Sequence, residues 1–96
     1  MRLSQTEIQT IKAEAWRAFG RGSRVLLFGS RVDDNRRGGD IDLYIEPEIQ
    51  DNPFQQKIEM LSRLMALLGE QKIDIVVAGG SERLIDRQAR ATGVEL

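Results

Sequence analysis

The sequence has 96 residues, of which 41% are hydrophobic and 30% are charged, and its formal net charge is −1. This composition is typical of one globular domain near the lower size limit for a self-sufficient core, and it excludes a disordered chain. The absence of cysteine and histidine excludes disulfides, thiolate nucleophiles, histidine general bases and histidine-ligated metal sites. Any chemistry must therefore depend on carboxylates, hydroxyls, cationic side chains or a metal with oxygen ligands.

The N-terminal segment predicts an amphipathic helix. Ser4 and Glu7 have the spacing of a capping box, and Leu3 and Ile8 have the spacing of a hydrophobic staple. Gly20 is expected to end this helix. No apolar run in the chain approaches the roughly 20 residues that span a bilayer, and the N-terminus lacks the long apolar region of a signal peptide. The sequence therefore predicts a cytoplasmic protein without a membrane segment.

Two strands are expected next. The run "RVLLF" at 24–28 is continuously apolar after its first residue and predicts a buried strand. The segment "DIDLYI" at 40–45 alternates strictly. One face of that strand takes Ile41, Leu43 and Ile45, and the other takes Asp40, Asp42 and Tyr44. The connection between the two strands is too short for a crossover helix, so they are expected to pair antiparallel.

A second long helix and a third strand follow. Asn52 is suited to cap this helix, with Pro53 at its first position and Gly69 at its end. Its apolar stripe is expected to comprise Phe54, Ile58, Leu61, Met65 and Leu68. The segment "KIDIVV" predicts a strand that can pair parallel with its predecessor, since a helix connects the two.

A weaker helix and a short tail complete the prediction. Ser81 is expected to cap a helix that runs to about Arg90, with Leu84 and Ile85 as its main anchors. The tail "TGVEL" can add a short edge strand. Residues 1–96 are thus predicted to form one α+β domain, a mixed sheet flanked by helices in the order α-β-β-α-β-α, with a possible C-terminal strand.

Three aspartates on the predicted strands are candidates for metal chemistry. Asp40 and Asp42 are two residues apart and share a face of their strand, about 6–7 Å from each other. Asp74 interrupts an apolar strand, where a lone buried carboxylate is costly unless it is paired, neutralised or bound to a metal. Such oxygen ligands suit Mg²⁺ or Mn²⁺, and pairs of these ions recur in phosphoryl and nucleotidyl transfer. The alternatives are a solvated acidic edge for the first two and an arginine partner for Asp74.

The Gly29-Ser30 pair is a candidate phosphate-binding turn. Glycine allows the backbone to approach a ligand closely, and a turn after a strand offers free N–H groups and a hydroxyl. Arg31, Arg36 and Arg37 follow in the same loop and could neutralise a triphosphate. The alternatives are an ordinary turn and a solvated loop. The motif is not a P-loop, because the Gly-Lys-Ser/Thr ending is missing.

In combination, these motifs resemble those of the polymerase-beta-type nucleotidyltransferase superfamily, in particular its minimal bacterial and archaeal members. The resemblance runs from "RVLLFGSR" through "GDIDLYI" and "KIDIVV" to "ARATGVEL". It implies that Gly29, Ser30 and Arg31 hold the nucleotide phosphates. It also implies that Asp40 and Asp42 carry two Mg²⁺ or Mn²⁺ ions. Asp74 would be the third carboxylate, which ligates one ion and helps to deprotonate the attacking hydroxyl.

The function implied by the resemblance is transfer of a nucleoside monophosphate, in the first instance AMP from ATP, to a hydroxyl group. Larger members carry an additional helical domain, so here the acceptor pocket is expected to come from a partner or a second copy. Minimal members are commonly encoded beside a small all-helical protein. In many such pairs that protein is a HEPN-type ribonuclease toxin, and the nucleotidyltransferase is an antitoxin that modifies a toxin tyrosine with AMP.

Two other functions remain open at this point. The domain could be a non-catalytic binding module that neutralises or complements a helical partner by covering its surface. It could instead transfer a nucleotide to a small molecule, which needs no protein partner. Direct binding of nucleic acid is not predicted, because a net charge of −1 supplies no overall basic field.

Overall fold

A computed structural model describes residues 3–29, 40–69 and 71–96 of the chain. Its elements in chain order are α1 (Gln5–Phe19), β1 (Arg24–Phe28), β2 (Ile41–Glu46), α2 (Pro53–Leu68), β3 (Ile73–Val77), α3 (Leu84–Thr92) and β4 (Val94–Glu95). The predicted α+β class and element order are confirmed, and the C-terminal strand is present. The predictions for Ser30, Arg31, Arg36 and Arg37 lie outside the described residues.

The four strands form one mixed sheet in the order β3-β2-β1-β4. Strand β1 pairs antiparallel with β2 and with β4, whereas β2 pairs parallel with β3. Both predicted pairings are thus confirmed. The parallel pair is possible because α2 carries the chain back to the starting end of β2. This crossover leaves β3 at one edge of the sheet.

The helix starts follow from the predicted caps. The Ser4 hydroxyl accepts from the Glu7 backbone N–H at 3.1 Å, and the Ser4 N–H donates to the Glu7 carboxylate at 2.9 Å. The Asn52 side chain accepts from the Gln55 N–H at the start of α2. These bonds satisfy N–H groups that a helix start leaves unpaired. Across the described residues, no helix is both long and apolar enough to cross a membrane.

The main core lies between the sheet and the two long helices. Ile41, Leu43 and Ile45 of β2 are fully buried there, as the alternating pattern predicted. Glu14 of α1 and Arg63 of α2 form an ion pair whose shortest contact is 2.5 Å. The hydrogen bond from Arg63 holds the pKa of Glu14 below its usual value. This contact fixes the side of α2 that faces α1.

The apolar stripe predicted for α2 is only partly its buried face, since Leu61 and Leu68 pack against the core whereas Phe54, Ile58 and Met65 are exposed. The buried α2 side chains are Met60 and Leu64, whereas Phe54 is 71% exposed and Met65 is 51% exposed. Apolar residues on α2 extend around more than one face, so periodicity alone did not select the face that meets the sheet. The outer part of this apolar surface lies on the side of α2 away from α1.

A buried polar network attaches α3 to the second face of the sheet. Tyr44 is fully buried, and its hydroxyl donates to Asp86 at 2.7 Å. Arg83 donates to the same carboxylate from its side chain at 2.9 Å and from its backbone N–H at 2.7 Å. The bonds from Arg83 and Tyr44 hold the pKa of Asp86 well below its usual range. Asp86 thus supplies the acceptor that positions the first turn of α3.

The prediction for the start of α3 was therefore wrong. The helix begins at Leu84 with Arg83 as its N-cap, rather than after Ser81. Its buried residues are Asp86 and Ala89, whereas the expected anchor Leu84 is 65% exposed. The bond between Asp86 and Tyr44 joins residues far apart in the chain, so helical periodicity could not reveal it.

Replacement of Tyr44 by phenylalanine is expected to lower the free energy of unfolding by about 1.5–3 kcal/mol, because a buried hydrogen bond to a charged group is lost. Chemical denaturation at pH 7 measures this change, and removal of the exposed hydroxyl in Ser62→Ala is the control. The Asp86 pKa is depressed in the folded state, so its contribution is present at neutral pH and is lost as the pH falls below the ordinary value of 3.8. Equal stabilities of Tyr44→Phe and Ser62→Ala would contradict this account.

Candidate active site

Asp42 and Asp74 lie side by side on the two parallel strands. The register pairs Asp42 of β2 with Asp74 of β3, and their neighbours Ile41 and Ile73 are also paired. Adjacent strands are about 4.8 Å apart, and side chains at paired positions point to the same face of a sheet. The two aspartates therefore share the face opposite the main core. The register thus places Asp42 beside Asp74, and convergence of these two with Asp40 near the Gly29-Ser30 turn stays a prediction.

Asp74 differs from the expectation of a buried carboxylate. It is exposed, whereas Asp42 is partly buried. The reason is the strand order: β3 is the edge strand, so its second face is open to solvent beside Asp74. The exposed carboxylate of Asp74 therefore needs no ion-pair partner to offset a cost of burial. What requires an explanation is that two carboxylates, those of Asp42 and Asp74, lie side by side.

The pair carries an unfavourable electrostatic interaction. Partial burial raises the pKa of Asp42, and the nearby carboxylates of Asp74 and Asp40 raise it further. Lys72 acts in the opposite direction and is the cation that offsets part of this repulsion. The face thus concentrates negative charge around Asp42. Such a concentration is a recurrent property of cation-binding and catalytic sites.

Asp40 is near this pair but has a different partner. It precedes β2, and its carboxylate lies 3.5 Å from the Lys72 ammonium group. Within 3–29, 40–69 and 71–96, no group of three or more acidic side chains is arranged to hold a metal ion. The structure thus brings Asp42 and Asp74 together and leaves Asp40 paired with Lys72. The role of all three aspartates as metal ligands stays a prediction.

Gly29 follows β1 and lies directly against the Asp42 carboxylate. Its φ is +79°, a conformation that side chains other than glycine rarely adopt. A Cβ atom at this position would meet the Asp42 side chain, with the carboxyl Cγ only 3.2 Å away. Glycine is therefore required both by the backbone conformation and by the space that Asp42 occupies. Gly29 thus approaches the Asp42 carboxylate closely. The contact of Gly29 with a nucleotide phosphate stays a prediction.

A cleft of about 540 Å³ includes both aspartates. It extends around the β3 edge and is lined by Phe28, Asp42, Lys57, Leu61, Ile73, Asp74, Ile75, Val76 and Ile85. Lys57 of α2 is the residue that the sequence analysis missed. Its position three residues after Phe54 and four before Leu61 places it on the same side of α2, which is the signal that could have identified it.

A scan of the chain against protein-family models and a search of curated proteins gave no match. The resemblance to polymerase-beta-type nucleotidyltransferases therefore stays a prediction based on the residues themselves. The function must be argued from the site, in which Asp42 is in register with Asp74 and lies against Gly29.

Asp42→Asn is expected to stabilise the folded protein at pH 7. The folded-state pKa of Asp42 is raised above the ordinary value of 3.8, so the ionised carboxylate is less favourable in the folded protein than in the unfolded chain. The free energy of unfolding therefore falls as the pH rises through the folded pKa. Removing the charge abolishes this penalty, and solvent screening keeps the gain to about 0.5 kcal/mol, or about 2–4 °C in melting temperature.

Thermal unfolding at pH 7 without divalent cations measures this gain, with Asp51→Asn in an exposed loop as the matched control. The difference between the two variants should vanish at pH 3, where Asp42 is protonated in the wild type. A melting temperature of Asp42→Asn at or below that of the control would contradict the raised pKa of Asp42.

Proposed function

We propose that this protein is a Mg²⁺-dependent nucleotidyltransferase that moves AMP from ATP to a hydroxyl group on a partner protein. The observation that carries the proposal is the register of Asp42 with Asp74, on a face that Gly29 also reaches. A pair of carboxylates beside a closely approaching backbone turn suits a bound triphosphate and its cation better than it suits a structural role. Lys72 offsets only part of the repulsion at Asp42, which leaves negative charge that a cation could neutralise.

The residues present fit a divalent cation. Mg²⁺ is typically held by one or two carboxylates together with substrate phosphates, so Asp42 and Asp74 suffice without a third protein ligand. Partial burial and the neighbouring carboxylates of Asp74 and Asp40 raise the pKa of Asp42, and a cation would offset the part that comes from these carboxylates. When bound, Mg²⁺ would neutralise charge on the triphosphate. Asp40 could join the site by exchanging its contact with Lys72, and a second ion, as the sequence predicted, would require that exchange.

The transfer step uses the two carboxylates differently. The acceptor hydroxyl oxygen forms a bond to the α-phosphorus of ATP, while the bond from that phosphorus to the bridging oxygen breaks and pyrophosphate leaves. The hydroxyl proton passes to Asp74, whose exposed carboxylate can reach an acceptor that arrives from solvent. Asp42, held between Gly29 and β3, orients the nucleotide end of the site. Gly29 keeps the turn close to the phosphates.

A protein acceptor is favoured because the cleft is a surface groove at the sheet edge. It adjoins a second cleft that is lined by Phe54 of α2, an exposed apolar side chain. This proposal fits a small helical partner that provides the acceptor hydroxyl. Such a partner would be the toxin of a toxin–antitoxin pair. A cytoplasmic location is part of the proposal, since that compartment supplies ATP. The exposed apolar side chains equally suit a non-catalytic binding module, which is the second candidate.

The proposal predicts transfer of label from α-labelled ATP to the protein encoded beside this one, in the presence of Mg²⁺. Asp42→Asn and Asp74→Asn should each lower the transfer rate at least 100-fold, because each removes a charge needed at the reacting phosphate. Asp51→Asn should leave the rate unchanged. Gly29→Ala should lower the rate, whereas Gly79→Ala is the matched control, since nothing lies within 4 Å of a Cβ built there.

The outcomes separate the candidate functions. Label on the partner that depends on Asp42 and Asp74 supports the proposal, whereas equal labelling by wild type and both variants contradicts it. If the Asp42→Asn, Asp74→Asn double variant still neutralises the partner in cells while no label is transferred, binding alone is the function. Label on small hydroxylated compounds without any protein partner would support a small-molecule acceptor instead.

A further inference from the structure

The open edge of β3 has the properties of a site for an additional strand. Within the described chain, β2 is the only strand hydrogen-bonded to β3. Two adjoining clefts, of about 540 and 210 Å³, follow this edge and share Lys57, Ile75 and Val76. We call these two clefts the β3 groove. We propose that the β3 groove binds an extended segment of a partner protein, which adds a strand to the sheet and carries an acidic residue opposite Lys57.

The backbone supplies the first argument. The carbonyl of Lys72 accepts from β2 at 3.0 Å, and the N–H of Ala78 donates to β2 at 2.9 Å. Alternate residues of a strand direct their polar groups to opposite sides. The N–H and C=O groups of Ile73, Ile75 and Val77 are therefore directed away from β2. The Val77 carbonyl accepts from the Arg83 side chain at 2.9 Å, which leaves Ile73 and Ile75 to receive a new strand.

Apolar side chains supply the second argument, because they flank the β3 edge on both faces of the sheet. On one face, α2 contributes Phe54 to the smaller cleft and Leu61 to the larger one. On the other face, Ile85 of α3 lines the larger cleft. An added strand would lie about 4.8 Å beyond β3, and its alternate side chains would face these two groups. A segment with apolar residues on both faces would thus be covered on both sides.

Charge supplies the third argument and indicates which polypeptide binds. Lys57 lines both clefts and forms no ion pair among the residues that the structure describes. A second copy of this chain, paired antiparallel about the middle of β3, would bring its own Lys57 towards this one. Like charges at such a distance oppose pairing. A different segment with a carboxylate at that position would gain an ion pair instead, so a heterologous partner is favoured.

The groove also leads to the candidate active site. Its larger cleft is lined by Asp42 and Asp74 as well as by Lys57. A hydroxyl residue near the end of the added strand would therefore lie beside the two carboxylates. This last step rests on the proposed function, whereas binding of the segment requires neither ATP nor Mg²⁺. The two proposals can thus fail separately.

The test is selection of a displayed library of random twelve-residue peptides on the purified protein, without nucleotide or divalent cation. Selected peptides are expected to alternate apolar residues and to contain an acidic residue. In hydrogen exchange measured by NMR, the bound peptide should slow exchange of the Ile73 and Ile75 amides at least tenfold. A peptide that docks on α2 alone would not protect these two amides.

Two variants make the test specific. Lys57→Glu should weaken peptide binding at least tenfold, whereas Lys12→Glu, at the opposite edge of the sheet, is the matched control and should not. Asp51→Asn, which lies outside both clefts, should bind the peptide with unchanged affinity. The absence of enriched peptides, or enriched peptides that leave Ile73 and Ile75 unprotected, would overturn the proposal. The proposal would also be overturned if these amides became more protected in the free protein as its concentration rises. That result would show that a second copy of the chain occupies the groove.

Discussion

The parallel pairing of β2 with β3 is the constraint on which both the core and the candidate site depend. One face of this pair places Ile41 and Ile73 in the core, and the other face places Asp42 beside Asp74. Because side chains alternate along a strand, a shift of one residue in either strand would exchange these faces. The burial of the isoleucines therefore fixes the approach of the two carboxylates. Core packing provides the free energy that offsets their repulsion.

The sequence predicted the elements and pairings because their signals are local. The capping box at Ser4 and the alternation of 40–45 depend on residues close in the chain. The sequence indicated that a carboxylate on a neighbouring strand could join the first two, but the register of Asp42 with Asp74 comes from the structure. The buried face of α2 was predicted only in part, and the start of α3 and the exposure of Asp74 were not predicted correctly. Each depends on strand order or on a distant partner, as the bond between Tyr44 and Asp86 illustrates.

The position of β3 at the sheet edge connects the proposed chemistry with the proposed docking. An interior strand would have β-sheet neighbours on both sides, whereas β3 offers a solvent-exposed aspartate and outward backbone groups together. Exposed edges invite non-specific pairing, and proteins usually protect them with charge or cover. Lys57 provides such a charge here and selects for an acidic partner segment. The same residue can thus disfavour self-association and favour a specific complex.

The central claim is that Asp42 and Asp74 together bind the cation that accompanies the nucleotide. Titration of isotope-labelled protein with Mn²⁺ and ATP, followed by NMR, tests it most directly, because the paramagnetic ion broadens signals of nearby nuclei. The account predicts that signals of Gly29, Asp42 and Asp74 broaden first, and that Asp42→Asn abolishes the effect at the same Mn²⁺ concentration. Broadening that begins at another acidic surface, or that is unchanged in Asp42→Asn, would contradict the account.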